Sequence, residues 1–333
     1  MKLSLISRSF QPRIQGIGVY SEMLYESIKN NDNLDIIKIS QDDSFFIKNN
    51  PLGYVFFILI ELPFKLKKSD INHALTPMET FYLDPKKTVV TIYDLIPIKI
   101  AENSSILTKA YKILFNQAMK KSIRCNKIVA ISEETAMDIQ KYYNVDHDKI
   151  KVIRPCIIQT LFPKNEKHEK FCIGTISQLN SRKRVDLLIK AFIKADIPDS
   201  KLLIGGSGPD LENLKKIADN NDKIEFLGFV PDENINDFYN SLDVFVFPTI
   251  MEGYGLPIVE AMACGKPVIT LNDAQIPLDI KKRTHISTLN SLADDLKNKK
   301  FHCNIGSNLN FAMDHSPKNL GKEMEKIYNS FDV

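Results

Sequence analysis

The stretch VFVFPTIMEGYGLPIVEAMACGKPVIT, residues Val244 to Thr270, decides how this chain is read. Its β-branched and aromatic opening predicts a buried strand that ends at Pro248, followed by a glycine-containing loop from Glu252 to Leu256. Pro257 then takes the first helical position, Gly265 closes the helix and Pro267 leads into the next strand. Proline just inside a helix start and glycine just past its end delimit a short helix from both sides. Gly253 and Gly255 let backbone N–H groups come close to an anion, and the helix N-terminus behind them carries partial positive charge. Glu252 and Glu260 flank this loop, and a carboxylate can accept hydrogen bonds from the vicinal hydroxyls of a ribose or a sugar. Taken singly, each element also reads as a tight turn with Glu260 in the field of the helix dipole. Taken together, they describe a clamp for a sugar phosphate.

Outward from this stretch the same strand, loop and helix recur. The first half holds KLSLI, DIIKIS, TVVTIY, KIVAIS and KIKVI, and the second holds FCIGTI, KLLIGG, KIEFLG, VFVFPT and PVITL. Helical spacing follows at Tyr20 to Lys29, Glu133 to Tyr143, Val185 to Phe192, Leu211 to Ala218 and Pro257 to Cys264. Such alternation means parallel sheets covered by helices on both faces. The pattern lapses between Ile157 and Lys170 into polar and charged residues, which places a linker there and domains at 1–160 and 170–333. Beyond Ile280 no pattern is evident.

Composition closes off several classes. The longest apolar run, Tyr54 to Ile60, is far shorter than the ~20 residues that span a bilayer, and the N-terminal apolar stretch is too short for a signal peptide, so a cytoplasmic protein is expected. The five cysteines include no C-x-x-C pair and read as reduced thiols. With six histidines and no H-E-x-x-H, a protein-built metal site has little support. Residues 1–165 hold 23 Lys and Arg against 17 Asp and Glu, and the rest holds 21 against 24, so only the first half is basic. That asymmetry suits an anionic acceptor or membrane surface facing the first half, or simply solvated lysines; no nucleic-acid partner is expected.

The pair E-x7-E within EGYGLPIVEAMACGKPVI resembles the signature of family 4 retaining glycosyltransferases. The likeness extends through Gly16-Ile17-Gly18, VVTIYDLIP, IVAISEET, KIKVIRP and GFVPDENINDFYNSLDVFVFPT, and weakens after Ile280. It implies a GT-B fold, two facing α/β Rossmann-like domains with a nucleotide-sugar cleft between them, the last helix packing back on the first domain. It further implies that Glu260 holds the ribose hydroxyls and that Glu252 meets the transferred hexose. Gly253, Tyr254, Gly255 and Leu256 would offer backbone N–H groups, while Arg182 and Lys183 neutralise the diphosphate. Gly16 and Gly18 would form a loop against the donor phosphates. The donor would be a nucleotide diphosphate sugar and the acceptor a glycan or a lipid-linked sugar, with no metal or other cofactor.

Two positions depart from the pattern. The family commonly has His-Asp where this chain has Tyr93-Asp94, its expected catalytic pair beside Glu252, and arginine where this chain has Thr175. Tyrosine donates a hydrogen bond but cannot become an imidazolium. A nucleotide-sugar epimerase or a catalytically inert sugar-nucleotide-binding subunit are the alternative readings. A metal-dependent transferase would need an acidic pair; Asp146-His147-Asp148 has the spelling but reads as a turn. Ser132 reads as a helix N-cap, and Gly205-Gly206-Ser207-Gly208-Pro209 as a structural turn. Tyr54 to Phe64, followed by Lys65, Lys67 and Lys68, reads as a buried helix with a basic end, or as a face for peripheral contact with an anionic inner membrane leaflet.

Overall fold

Short β-branched runs with no polar alternation need cover on both faces, and the structure supplies it in two separate sheets. The computed structural model describes residues 1–11, 15–44, 51–99, 106–157, 160–164 and 168–331. One unit comprises Met1–Cys156 with His315–Val333, and the other Ile157–Asp314. The second domain, placed at 170–333 from sequence, thus begins at Ile157, and the last helix groups with the first unit.

In the first unit the strands are β1 (Lys2–Ser7), β2 (Asp35–Ser40), β3 (Ile71–Ala74), β4 (Thr88–Ile92), β5 (Lys127–Ala130) and β6 (Ile150–Val152). They form one parallel sheet in the order β2-β1-β3-β4-β5-β6. Alternate side chains serve opposite faces: Leu3, Leu5, Val89 and Val129 pack into one apolar layer, Ile6, Val90, Ile92, Ile128 and Ala130 into the other. The strand β3, INHA, is absent from the sequence reading because a histidine and an asparagine interrupt its four residues. His73 is fully enclosed and bonds Thr91 at 2.9 Å and the Tyr328 hydroxyl at 2.7 Å; burial lowers its pKa to about 3, so the ring is neutral. Through Tyr328 the helix Pro317–Tyr328 is tied to this sheet, and Gly321 lets it approach the Gln15–Ile28 helix, since a Cβ there would lie 2.6 Å from the Ser27 carbonyl oxygen.

The second unit holds β7 (Phe171–Ile176), β8 (Ser200–Gly205), β9 (Ile224–Gly228), β10 (Val244–Phe247), β11 (Val268–Leu271) and β12 (His285–Ser287). Its parallel order is β12-β11-β10-β7-β8-β9, so the chain runs outward from β7 in one direction and then returns past it to β10. Central β10 and β11 are buried throughout, whereas β9 at the edge alternates between half-buried and exposed residues. Three-residue β12 carried no readable pattern. The supposed linker is not loose where described: Asn236 and Asn240 of the Asp232–Asn240 helix are buried and bond the backbone of Phe162 and Lys164. Residues 158–159 and 165–167 of that stretch lie outside the described residues.

Candidate functional site

An open parallel sheet leaves a crevice at the carboxyl ends of its strands where the strand order reverses. In the second unit that point lies between β7 and β10. The segment after β7 carries Arg182 and Lys183; the segment after β10 carries Thr249, Glu252 and the glycine loop. Chain order therefore delivers the cations and the carboxylate to one place, although about 70 residues separate them.

The Glu252 carboxylate is anchored through one oxygen only. Oε1 accepts from Arg182 Nη1 at 2.7 Å, Lys183 Nζ at 2.6 Å and the Thr249 hydroxyl at 2.7 Å. Among the described residues Oε2 has no hydrogen-bond partner, which leaves it to accept from a ligand hydroxyl. Two cations against one carboxylate leave a net positive charge, so pairing with Glu252 does not cancel the site's attraction for a phosphate. Lys183 is buried and its ammonium also stands 4.9 Å from the centre of the Phe247 ring. Arg182 bonds the Met251 carbonyl as well. The loop is held from both sides, by Ile250 N–H to the Arg182 carbonyl at 2.9 Å and by Glu252 N–H to the Gln275 carbonyl at 2.9 Å. Neighbouring Arg184 does something else: its guanidinium grips Asp273 with two bonds and the Pro248 and Thr249 carbonyls, clamping the same loop.

Glu260 lies on the helix Leu256–Ala263, whose N-cap is Gly255 at φ 97° with no capping side chain. That helix starts one residue before the expected Pro257. Gly265, at φ 69°, and Lys266 donate to the Met262 and Ala261 carbonyls and end it with paired return bonds that require a left-handed residue. Tyr254 is buried. The Glu260 carboxylate sits deep in the unit yet keeps part of its surface open, and the enclosed Tyr239 hydroxyl donates to Oε2 at 2.7 Å. Burial raises its pKa to about 7, with Asp232 adding to the rise and the Tyr239 bond opposing it. Like Glu252, it has one oxygen held by the protein and one without a partner among the described residues.

The Gly205–Gly208 turn is structural, as its spelling suggested. A Cβ on Gly206, which has φ 113°, would lie 1.8 Å from the Ser177 carbonyl oxygen, and one on Gly208 would lie 2.1 Å from that of Leu179. The turn lets two backbones touch and so shapes the segment that leads to Arg182. Ser177 Oγ and Asn180 Oδ1 in that segment are buried without a hydrogen-bond partner. Thr175, in the place of the family's arginine, is fully enclosed within β7.

Residues 158–289 match the family model described as glycosyl transferases group 1. Over 215 residues the chain is 25% identical to the serotype-specific mannosyltransferase WbdA of Escherichia coli, a match covering 58% of this chain and 26% of that protein. The chain therefore spans about a quarter of the length of that curated relative. The fold is similar to that of WaaG, a glycosyltransferase involved in lipopolysaccharide biosynthesis, with a TM-score of 0.73 at 13% identity over 98% of this chain and 100% of that one. HepE of Anabaena, solved in complex with UDP and glucose, gives 0.72 at 16% identity over 99% and 100%. The GT-B fold class expected from the sequence is thus found, as two α/β units each with a six-stranded parallel sheet.

Within the matched residues the sequence reading named both carboxylates and both cations but missed Thr249 and Tyr239. Tyr239 has no local signal, because its partner Glu260 lies on another helix, whereas Thr249 stands three residues before Glu252 in the same loop. Outside them, the first-unit candidates fare differently. Gly16 and Gly18 do not form a loop: both lie in the first turn of the Gln15–Ile28 helix. Gly18 is there because a Cβ would lie 2.3 Å from the Gln11 carbonyl oxygen, while Gly16 has open space around it. Residues 12–14, which lead into this turn, lie outside the described residues. Tyr93 is turned inward, its hydroxyl enclosed and its ring edge-on to Tyr20 at 5.2 Å; burial pushes its pKa well up, so it is not displayed to donate to a sugar. Asp94 remains half-buried at the end of β4, accepting from the Ile96 N–H at 2.9 Å.

Ser132 caps its helix through the Thr135 N–H at 3.1 Å, and Asp146-His147-Asp148 lies at an exposed turn. All five cysteines are free thiols. The Tyr54–Phe64 run divides its faces: Tyr54, Phe57, Ile58 and Leu62 are buried, while Leu59, Ile60 and Phe64 are exposed, Phe64 by 88%. Lys65 beside it bonds the Asp43 carbonyl and lies 3.6 Å from Glu61. No helix among the described residues is long and apolar enough to cross a membrane.

Proposed function

We propose that this protein is a retaining glycosyltransferase that moves a hexose of the mannose or glucose type from a nucleotide diphosphate sugar to a glycan or lipid-linked acceptor. The observation that carries the reading is the Glu252 carboxylate, tied by one oxygen to Arg182, Lys183 and Thr249 at the carboxyl ends of β7 and β10, with its other oxygen open. The net positive charge there suits a diphosphate, and supplies without a metal the stabilisation that a departing nucleotide needs. Glu252 then positions the hexose through its open oxygen, Glu260 takes the ribose hydroxyls, and the departing phosphate assists attack from the same face. Acceptor-dependent release of free nucleoside diphosphate is the defining assay. An epimerase would change the sugar without releasing it, and an inert subunit would bind donor with no turnover.

Glu260 makes the binding step pH-dependent. Its carboxyl has a pKa of about 7 in the free protein, and ribose hydroxyls that donate to the carboxylate lower that value in the complex. Binding therefore expels a proton below pH 7, and nucleotide affinity falls as the pH drops, by at most about tenfold per unit for one proton. Above pH 7 the contribution is flat. Calorimetric titration of Glu260→Gln is expected to show a smaller slope between pH 8 and pH 6, the remainder being the nucleotide's own titration. Equal slopes would remove Glu260 from the ribose.

A lipid-linked acceptor fits the exposed Leu59, Ile60 and Phe64 beside Lys65, Lys67 and Lys68, an apolar patch with cations at its edge. Co-sedimentation with anionic vesicles at low salt is expected to be lost in Phe64→Glu, which removes apolar contact and adds a repelled charge. Unchanged sedimentation, or none by the parent protein, would leave a soluble acceptor as the reading.

A further inference from the structure

The first unit has a reversal point of its own, between β1 and β3. Arg8 directly follows β1, Thr76 and Glu79 follow β3, and Asp94 follows β4. The Arg8 guanidinium lies 5.2 Å from the centre of the Tyr54 ring, half-buried, and its Nε is enclosed without a hydrogen-bond partner. No carboxylate among the described residues is within ion-pair distance of it. Glu79, which follows β3, is fully buried and occupied by the Tyr54 hydroxyl at 2.5 Å and the Thr76 N–H at 2.7 Å. Burial raises the Glu79 pKa to about 7, with the bonds from Thr76 and Tyr54 opposing the rise.

A partly desolvated cation without a counter-ion is costly, and native proteins retain one where a ligand completes it. Its backbone is rigidly placed: the Gln41 N–H donates to the Arg8 carbonyl at 3.2 Å, and Asp42 holds the following Ser9 hydroxyl and Phe10 N–H. Tyr111, 41% exposed, and half-buried Asp94 stand close enough for Arg8 to lower and Asp94 to raise the tyrosine's pKa, within a rise that burial dominates. An exposed ring suits the face of a sugar, a carboxylate suits its hydroxyls, and a guanidinium suits an anion.

We propose that this crevice binds an anionic saccharide, a sugar bearing a phosphate or a carboxylate, with Arg8 as the partner of the anion. Naming that saccharide as the acceptor rests on the transferase reading; the binding itself does not, and it is measured without turnover. The full chain is titrated calorimetrically with glucose 6-phosphate, glucuronate, inorganic phosphate and methyl glucoside, and separately with nucleoside diphosphates. The expected result is that the two anionic sugars bind more tightly than phosphate or methyl glucoside, and that Arg8→Gln weakens them by about tenfold or more. Arg8→Lys, which keeps the charge but loses the guanidinium beside the Tyr54 ring, weakens them less and serves should the glutamine variant not fold. Nucleoside diphosphate affinity stays unchanged in both. The proposal is overturned by anionic sugars binding no better than methyl glucoside, by variants that bind them like the parent, or by an equal loss of nucleoside diphosphate binding, which would give Arg8 to the donor.

Discussion

Replacing Glu252 by glutamine is expected to lower kcat by ~10² to 10³ while nucleoside diphosphate affinity is kept or improved. The amide keeps the shape and an acceptor oxygen for Arg182, Lys183 and Thr249, but removes the charge that opposes the two cations. A more positive crevice holds a diphosphate at least as well, and the sugar loses the carboxylate that positions it. Glutamine is a better probe than alanine for a structural reason. Removing the carboxylate group altogether strands buried Lys183 without its anion, a change that costs about 3–5 kcal/mol and would confuse lost folding with lost chemistry. Steady-state kinetics beside calorimetric titration of the nucleotide separate the two effects. A kcat close to that of the parent, or a parallel loss of nucleotide affinity, would take Glu252 away from the sugar.

Gly206→Ala is expected to have the larger effect on stability, although it touches no ligand. The position has φ 113°, which an L-residue adopts at a cost of about 1–3 kcal/mol, and the new methyl would lie 1.8 Å from the Ser177 carbonyl oxygen. Strain and backbone displacement together should remove about 3 kcal/mol, a fall in Tm of roughly 10 °C for a unit of this size. Gly228→Ala provides the comparison, because φ there is 67° but the space is open, so only the conformational term of about 1–2 kcal/mol applies. Calorimetric scans of the two variants decide the matter: similar shifts would mean that the contact with Ser177 is not what the glycine serves. Nucleotide binding should also weaken in Gly206→Ala, since the displaced segment leads to Arg182 and Lys183.

Both predictions draw on the same division of information. Strand and helix identity was legible wherever it is a local property. The runs VFVF and VITL carry no polar alternation because both faces are covered, and Glu133–Tyr143 was bounded by its cap and its spacing. The short helix between Gly255 and Gly265 was announced by turn chemistry, which needs only neighbouring residues. The resemblance gave Gly16-Ile17-Gly18 as a loop, whereas both glycines lie in the first turn of a helix, the second serving a close approach to Gln11.

By itself the sequence determined the class of architecture and the second-unit carboxylates, because hydrophobic period, proline and glycine are written within a few residues of one another; Arg182 and Lys183 came from the family resemblance. Tertiary structure decided what those groups do to each other. Strand order, not sequence distance, set Arg182 and Lys183 on a single oxygen of Glu252, brought Tyr239 to Glu260, turned Tyr93 inward and left Arg8 beside Tyr54 without a counter-ion among the described residues. It also tied the Pro317–Tyr328 helix, which the resemblance placed against the first domain, to the sheet through His73. Pairing and desolvation act through space and depend on which strands become neighbours, so charge balance and exposure at these sites emerge only when the sheet is complete.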